Sequence, residues 1–127
     1  MRVITGSARG RRLKDLPGLD TRPTTDKVKE SIFNIVQFDV EGRRVLDLFA
    51  GTGQLGIEAL SRGAEKCVFV DRSREAVKVV KENVTSTGFG NQSQVIQGDG
   101  VSFLTSCREK FGLIFLDPPY AADLLLL

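Results

Sequence analysis

Residues 45–56, Val-Leu-Asp-Leu-Phe-Ala-Gly-Thr-Gly-Gln-Leu-Gly, constrain this chain more than any other stretch. The first half is a nearly continuous apolar run, the pattern of a strand covered on both faces, and the second half has the G-x-G-x-x-G spacing of a tight turn into a helix. Three more strand-like runs follow: Val68-Phe69-Val70-Asp71, the weaker Gln94 to Gln97, and Leu113-Ile114-Phe115-Leu116-Asp117. Helical patterns separate them. Gln54 to Arg62 is stopped by Gly63; Ser73 caps a helix with Ala76, Val77, Val80 and Val84 at spacings of three and four; a further helix is expected around Val101 to Cys107. Alternation of this kind requires right-handed crossovers and predicts an α/β fold with a parallel sheet and helices on both faces. In such an open sheet the first strand lies beside the fourth, and ligands bind at the carboxyl ends where the strand order reverses.

The 127 residues fit one domain, and 41% apolar with 27% charged residues is an ordinary globular mixture. Neither a signal-like segment nor an apolar run of membrane-spanning length is present, so a soluble, cytoplasmic protein is expected. Histidine is absent, which excludes Ser-His-Asp and Cys-His catalysis. Cys67 and Cys107 form no C-x-x-C pair and are expected to be buried free thiols; no metal site is expected.

Before the alternating part, Arg2 to Lys14 is expected to form a hairpin of two short strands around Gly6-Ser7-Ala8-Arg9-Gly10. Arg2, Arg9, Arg11, Arg12 and Lys14 precede the first acid, Asp15, and Arg22, Lys27 and Lys29 follow. Such a basic end suits phosphate binding, or is simply a solvated face. Pro17, Gly18 and Pro23 interrupt regular structure; Thr24 or Thr25 is then expected to cap a helix whose apolar stripe is Val28, Ile32, Ile35 and Val36. The expected organisation is a single domain, with residues 1–40 an extension and 41–127 the alternating body.

Gly51, Thr52 and Gly53 make the turn through which a nucleotide-like ligand can approach the backbone. Asp71, ending the second strand, can accept from both ribose hydroxyls and would repel a 2′-phosphate, although capping beside Ser73 is an alternative role. Asp47, four residues before Gly51, disfavours a pyrophosphate and favours the ammonium and sulfonium of S-adenosylmethionine (AdoMet). Asp99, in Gln97-Gly98-Asp99-Gly100, is a candidate acceptor for the adenine amine or an ordinary turn aspartate. Asp117-Pro118-Pro119-Tyr120 closes the fourth strand. Two prolines fix the backbone so that the Asp117 carboxylate and the Pro118 carbonyl can serve as paired acceptors beside a flat ring, which suits a planar NH2-bearing group.

Asp117-Pro118-Pro119-Tyr120 together with Asp47-Leu48-Phe49-Ala50-Gly51-Thr52-Gly53 resembles the amino-methyltransferases with a (D/N)-P-P-(Y/F/W) motif. Arg9-Gly10-Arg11-Arg12-Leu13 and residues 21–30, Thr-Arg-Pro-Thr-Thr-Asp-Lys-Val-Lys-Glu, narrow the resemblance to the bacterial 16S ribosomal RNA guanine-N2 methyltransferases of the RsmD family. That resemblance implies a Rossmann-like class I AdoMet-dependent fold, AdoMet as donor with S-adenosylhomocysteine as product, and a flipped guanine of 16S RNA, free or in the small ribosomal subunit, as acceptor. Asp117 and Pro118 would hold the guanine amine and Tyr120 would stack on the base. Asp47, Gly51, Thr52, Gly53, Asp71, Arg72, Asp99 and Gly100 form the expected cofactor set, and Arg9, Arg11, Arg12, Lys14 and Arg22 the expected RNA contacts, with Thr24 and Thr25 as secondary site candidates. Family members carry further strands beyond this point, so a truncated, monomeric methyltransferase domain is expected, with the fourth strand an apolar edge. Other readings are DNA adenine-N6 or protein glutamine methylation, an NAD-dependent oxidoreductase, and an RNA-binding module with a decayed cofactor fold.

Overall fold

Side chains that alternate across two apolar strands divide the interior into two layers. A computed structural model describes residues 1–16 and 26–116. In chain order these form α1 (Asp26–Ile35), β1 (Arg44–Leu48), α2 (Gln54–Ser61), β2 (Lys66–Asp71), α3 (Arg74–Ser86), a short 3-10 turn (Gly90–Gln92), β3 (Ser93–Gln97), α4 (Gly100–Ser106) and β4 (Leu113–Leu116). The sheet is parallel in the order β3-β2-β1-β4, with Leu46 opposite both Val68 and Ile114. Val45, Cys67, Phe69 and Phe115 pack with α1, α2 and α3 on one face; Leu46, Leu48, Val68 and Val70 pack with Phe103 of α4 on the other. The expected topology therefore holds, including β1 beside β4, and the order reverses between those two strands.

The third glycine of the fingerprint has a packing reason. A Cβ at Gly56 would sit 2.3 Å from Phe69 Cε1 and 2.6 Å from Cys67 Sγ, so its absence lets α2 lie close on β2. Gly56→Ala is expected to destabilise the fold by about 1–3 kcal/mol through overpacking. Urea unfolding checks this; a midpoint at or above that of the wild type would refute the packing argument.

Three expectations are corrected. The inward stripe of α1 is Lys29, Ile32 and Phe33, continued by Val36, whereas Val28 is 50% and Ile35 82% exposed. A lysine at the first stripe position hid the true phase of the helix. Phe33 stacks at a tilt on Phe115, with centroids 5.3 Å apart, and Arg62 lies 4.6 Å above its ring. The N-terminal hairpin has only one ladder bridge, Arg2 with Arg12. Backbone bonds from Val3 N to Arg11 O, Gly10 N to Val3 O and Leu13 N to Met1 O join its arms, and the rest of the segment is fastened to α2: Ile4 and Thr5 donate to Glu58, and Ala8 in the turn donates to Ser61 Oγ. Cys67 is buried as expected, but Cys107 is only half-buried. The edge expectation for β4 is met among the described residues, where Ile114 and Leu116 face outward, 48% and 62% exposed.

Candidate cofactor turn and nucleic-acid face

The path from β1 to α2 is unusually tight. Phe49, Gly51 and Gly53 all have left-handed backbone, with φ of 61°, 60° and 82°. For glycine this costs little, whereas for Phe49 it is an outlier of about 1–3 kcal/mol, of the sort that collects at ligand sites. Packing holds it in place: the Phe49 ring lies against the second core layer, and a Cβ at Gly100 would come within 3.1 Å of its Cζ. Gly100 is thus a packing glycine. At Gly51, in contrast, an added Cβ would meet nothing within 4 Å, so that side of the turn is open.

Asp71 ties three loop tips together. Its Oδ2 accepts from Gly51 N at 2.9 Å, its Oδ1 from Ser73 N at 2.8 Å, and its main-chain oxygen from Gly98 N at 2.9 Å. Ser73 caps α3 by accepting from Ala76 N, so the capping role that Asp71 might have taken is filled by its neighbour. Each carboxylate oxygen keeps further acceptor capacity after one bond.

Asp47 lies beneath the turn rather than at its mouth. It is 1% exposed and accepts from Gly56 N at 3.0 Å, supporting the first turn of α2 with negative charge where a helix N-terminus favours it. Burial first, and then this carboxylate, push the Cys67 thiol well up, which makes that sulfur a poor nucleophile. Asp99 caps α4, accepting from Ser102 N at 2.9 Å and from its hydroxyl at 3.1 Å. Those bonds, with the nearby charge of Arg72, hold its carboxyl below the usual range. Arg72 itself is exposed. Gly51, Asp71, Arg72 and Asp99 therefore gather at the carboxyl ends of the strands, with Asp47 underneath and Gly100 packed behind Phe49.

The basic N-terminal segment lies along α2 and α3. Its turn meets Ser61 at the far end of α2; its base reaches the glycine turn, where Asn83 of α3 binds both Lys14 and Thr52. Arg9, Arg11, Arg12 and Lys14 are all exposed. Lys14 pairs with Glu82 at 2.6 Å and Arg11 reaches the Ser86 carbonyl at 3.4 Å; among the described residues Arg9 and Arg12 have no ion pair. On α3 the exposed Arg74, Lys78 and Lys81 are spaced to share one helix face.

Sequence reasoning missed Glu58, Asn83 and the left-handed Phe49. Asn83 had a signal: it falls on the same stripe as Ala76, Val80 and Val84, so a polar side chain was due inside. Of the remaining candidates, Arg22, Thr24, Thr25, Asp117, Pro118 and Tyr120 lie outside the described residues. β4 ends at Leu116, opposite Leu48 of the strand that feeds the glycine turn.

The chain is 53% identical over 94% of its length to the Bacillus subtilis protein named "Putative rRNA methyltransferase YlbH" and covers 67% of it. It is 38% identical over 98% of its length to Escherichia coli ribosomal RNA small subunit methyltransferase D, of which it covers 63%. The chain thus spans about two thirds of the length of these relatives. Among solved structures it superposes on the Escherichia coli protein described as "Putative methyltransferase yhhF" with a TM-score of 0.85 and 36% identity, covering 94% of this chain and 65% of that one. The architecture is the Rossmann-like methyltransferase fold. Since the model of the family described as Conserved hypothetical protein 95 matches residues 1–127, the chain belongs to that family.

Proposed function

We propose that the full-length protein transfers a methyl group from AdoMet to the exocyclic N2 amine of a guanine in 16S ribosomal RNA, free or within the small subunit. The observation that carries this reading is the gathering of the open glycine turn, Asp71 and the exit of β4 at the switch point of a parallel sheet. The names of the relatives support the substrate class.

Bound there, AdoMet would supply an electrophilic methyl, leaving as S-adenosylhomocysteine while the N2 amine gives up one proton to solvent. The chain does the rest. Spare acceptor positions on Asp71 receive the ribose hydroxyls, and Gly51 admits the ligand against the backbone. Asp47 contributes negative charge from below, which favours a cationic donor over a pyrophosphate. Asp117 and the Pro118 carbonyl accept from the guanine N–H groups, returning electron density to an amine weakened by conjugation, and Tyr120 stacks on the flipped base. Arg9, Arg11, Arg12 and Lys14, with Arg22, hold RNA phosphates. Work of this kind belongs in the cytoplasm, where small subunits are assembled.

A labelled-methyl assay on unmodified small subunits, free 16S RNA, DNA and peptide tests the proposal. Label is expected on a guanine N2 of 16S RNA, as small subunit or free RNA. Transfer to DNA adenine or to a glutamine side chain instead would overturn the substrate assignment, and AdoMet binding with no transfer to any of the four would overturn the activity.

A further inference from the structure

Asn83 is a polar side chain where helical periodicity calls for an apolar one, and it is 2% exposed. Its amide is fully engaged with two separate elements. Oδ1 accepts from Lys14 N at 2.6 Å, while Nδ2 donates to Lys14 O at 3.0 Å and to Thr52 O at 2.9 Å. An amide has two N–H donors, so one serves the basic segment and the other the glycine turn.

We propose that Asn83 is a positioning residue that couples the N-terminal basic segment to the cofactor turn, so that RNA held by the first and AdoMet held by the second strengthen each other's binding. This rests on the function proposed above. Thr52 lies between two left-handed glycines, and glycines offer no side chain by which packing could fix the turn. Its orientation is set by a few backbone anchors: Gly51 N on Asp71, Gly53 N on Ala50 O, and Thr52 O on Asn83. Only the last leads out of the cofactor site toward the basic face; the weak contact of Thr52 Oγ1 with Met1 Sδ at 3.8 Å points the same way.

A lever exists at the other end. The Lys14 ammonium pairs with Glu82, one residue before Asn83, and that bond lowers the Glu82 pKa. A phosphate that draws the Lys14 side chain from Glu82 pulls on the residue whose peptide Asn83 grips from both sides. Because Asn83 is itself buried, its amide is costly to leave unpaired, so a shift in the Lys14 peptide is passed to the Thr52 carbonyl. Linkage makes the effect reciprocal: whatever factor RNA lends to the cofactor, the cofactor lends to RNA.

Calorimetric titration of the full-length protein with S-adenosylhomocysteine, with and without unmodified 16S RNA, reads the coupling. In the wild type, RNA is expected to tighten S-adenosylhomocysteine at least about fivefold, and the converse titration should return the same factor. Asn83→Ala is expected to bind each ligand alone but to reduce the factor to within about twofold, a change that mere loss of stability does not produce. Should Asn83→Ala not fold, amide exchange in the wild type decides: S-adenosylhomocysteine should slow exchange at residues 11–16 as well as at the glycine turn. Independent binding of the two ligands by the wild type, an undiminished factor in Asn83→Ala, or protection confined to the glycine turn would overturn the coupling alone. A wild type that binds neither ligand would overturn the proposed function with it.

Discussion

Asp117→Ala in the full-length protein is expected to lower kcat by about 10²–10³-fold while leaving AdoMet affinity within about twofold. The reason lies in the division of labour between the loop tips. In the proposed site, Gly51, Asp71 and the N-terminal turn of α2 form the cofactor end, and the contacts that fix them, from Asp47, Asp71 and the Gly98 loop, involve no residue of the segment after β4. In the proposed reaction Asp117 faces the other reactant. Its carboxylate accepts from an amine whose lone pair is delocalised into the purine, and that bond strengthens as nitrogen gains positive charge on methylation. An interaction that is stronger in the transition state than in the bound substrate shows in kcat. Equal falls in kcat and kcat/KM are therefore expected, measured with labelled AdoMet on small-subunit RNA at saturating RNA. If AdoMet binding fell in step with turnover, Asp117 would belong to the cofactor pocket and not to the amine.

How much of this was legible in the sequence depends on what each residue's neighbours reveal. Interior parallel strands announce themselves as apolar runs, so β1, β2 and β4 could be read directly, and the βαβ rules then fixed β1 beside β4. The half-exposed β3 gave a weaker signal, as its polar Ser93, Gln94 and Gln97 suggest. The spacing of Asp47 to Gly51 was visible. That the carboxylate turns down onto Gly56 N was not, because a side chain's direction depends on which helix covers that face of the strand. No sequence pattern marks Phe49 as left-handed, since aromatics rarely adopt positive φ; the strain is imposed by the core around it. On α1, a search for apolar spacing preferred Val28 and Ile35 over Lys29 and Phe33, and only a buried acid on another helix explains why a lysine points inward.

That acid, Glu58, is expected to be the most costly single truncation in the fold. Its side chain is fully buried and receives Ile4 N at 2.8 Å, Thr5 N at 3.0 Å and Arg62 Nε at 2.9 Å, with Lys29 Nζ 3.7 Å away. Glu58→Ala leaves the buried Lys29 ammonium without its counter-charge, and the Arg62 guanidinium N–H and two amide donors without their acceptor, which should cost about 3–5 kcal/mol, a large share of a domain's usual 5–15. Lys29→Met should behave differently. Glu58 then keeps three donors, the thioether chain fills much of the lysine's volume, and the principal loss is the bond to the Arg2 carbonyl at 2.7 Å. The expected cost is within about 1 kcal/mol, and a gain is compatible with the argument. pH gives an independent check. Desolvation depresses the Lys29 pKa despite the opposing pull of Glu58. Between that depressed value and the ordinary 10.5 the unfolded chain carries more protons on this residue than the folded one, so Lys29 makes stability rise with pH across that window. Urea midpoints of Lys29→Met measured toward pH 10 should lack that rise. A Lys29→Met penalty as large as that of Glu58→Ala would mean that the lysine, rather than the glutamate, holds the basic segment on α2.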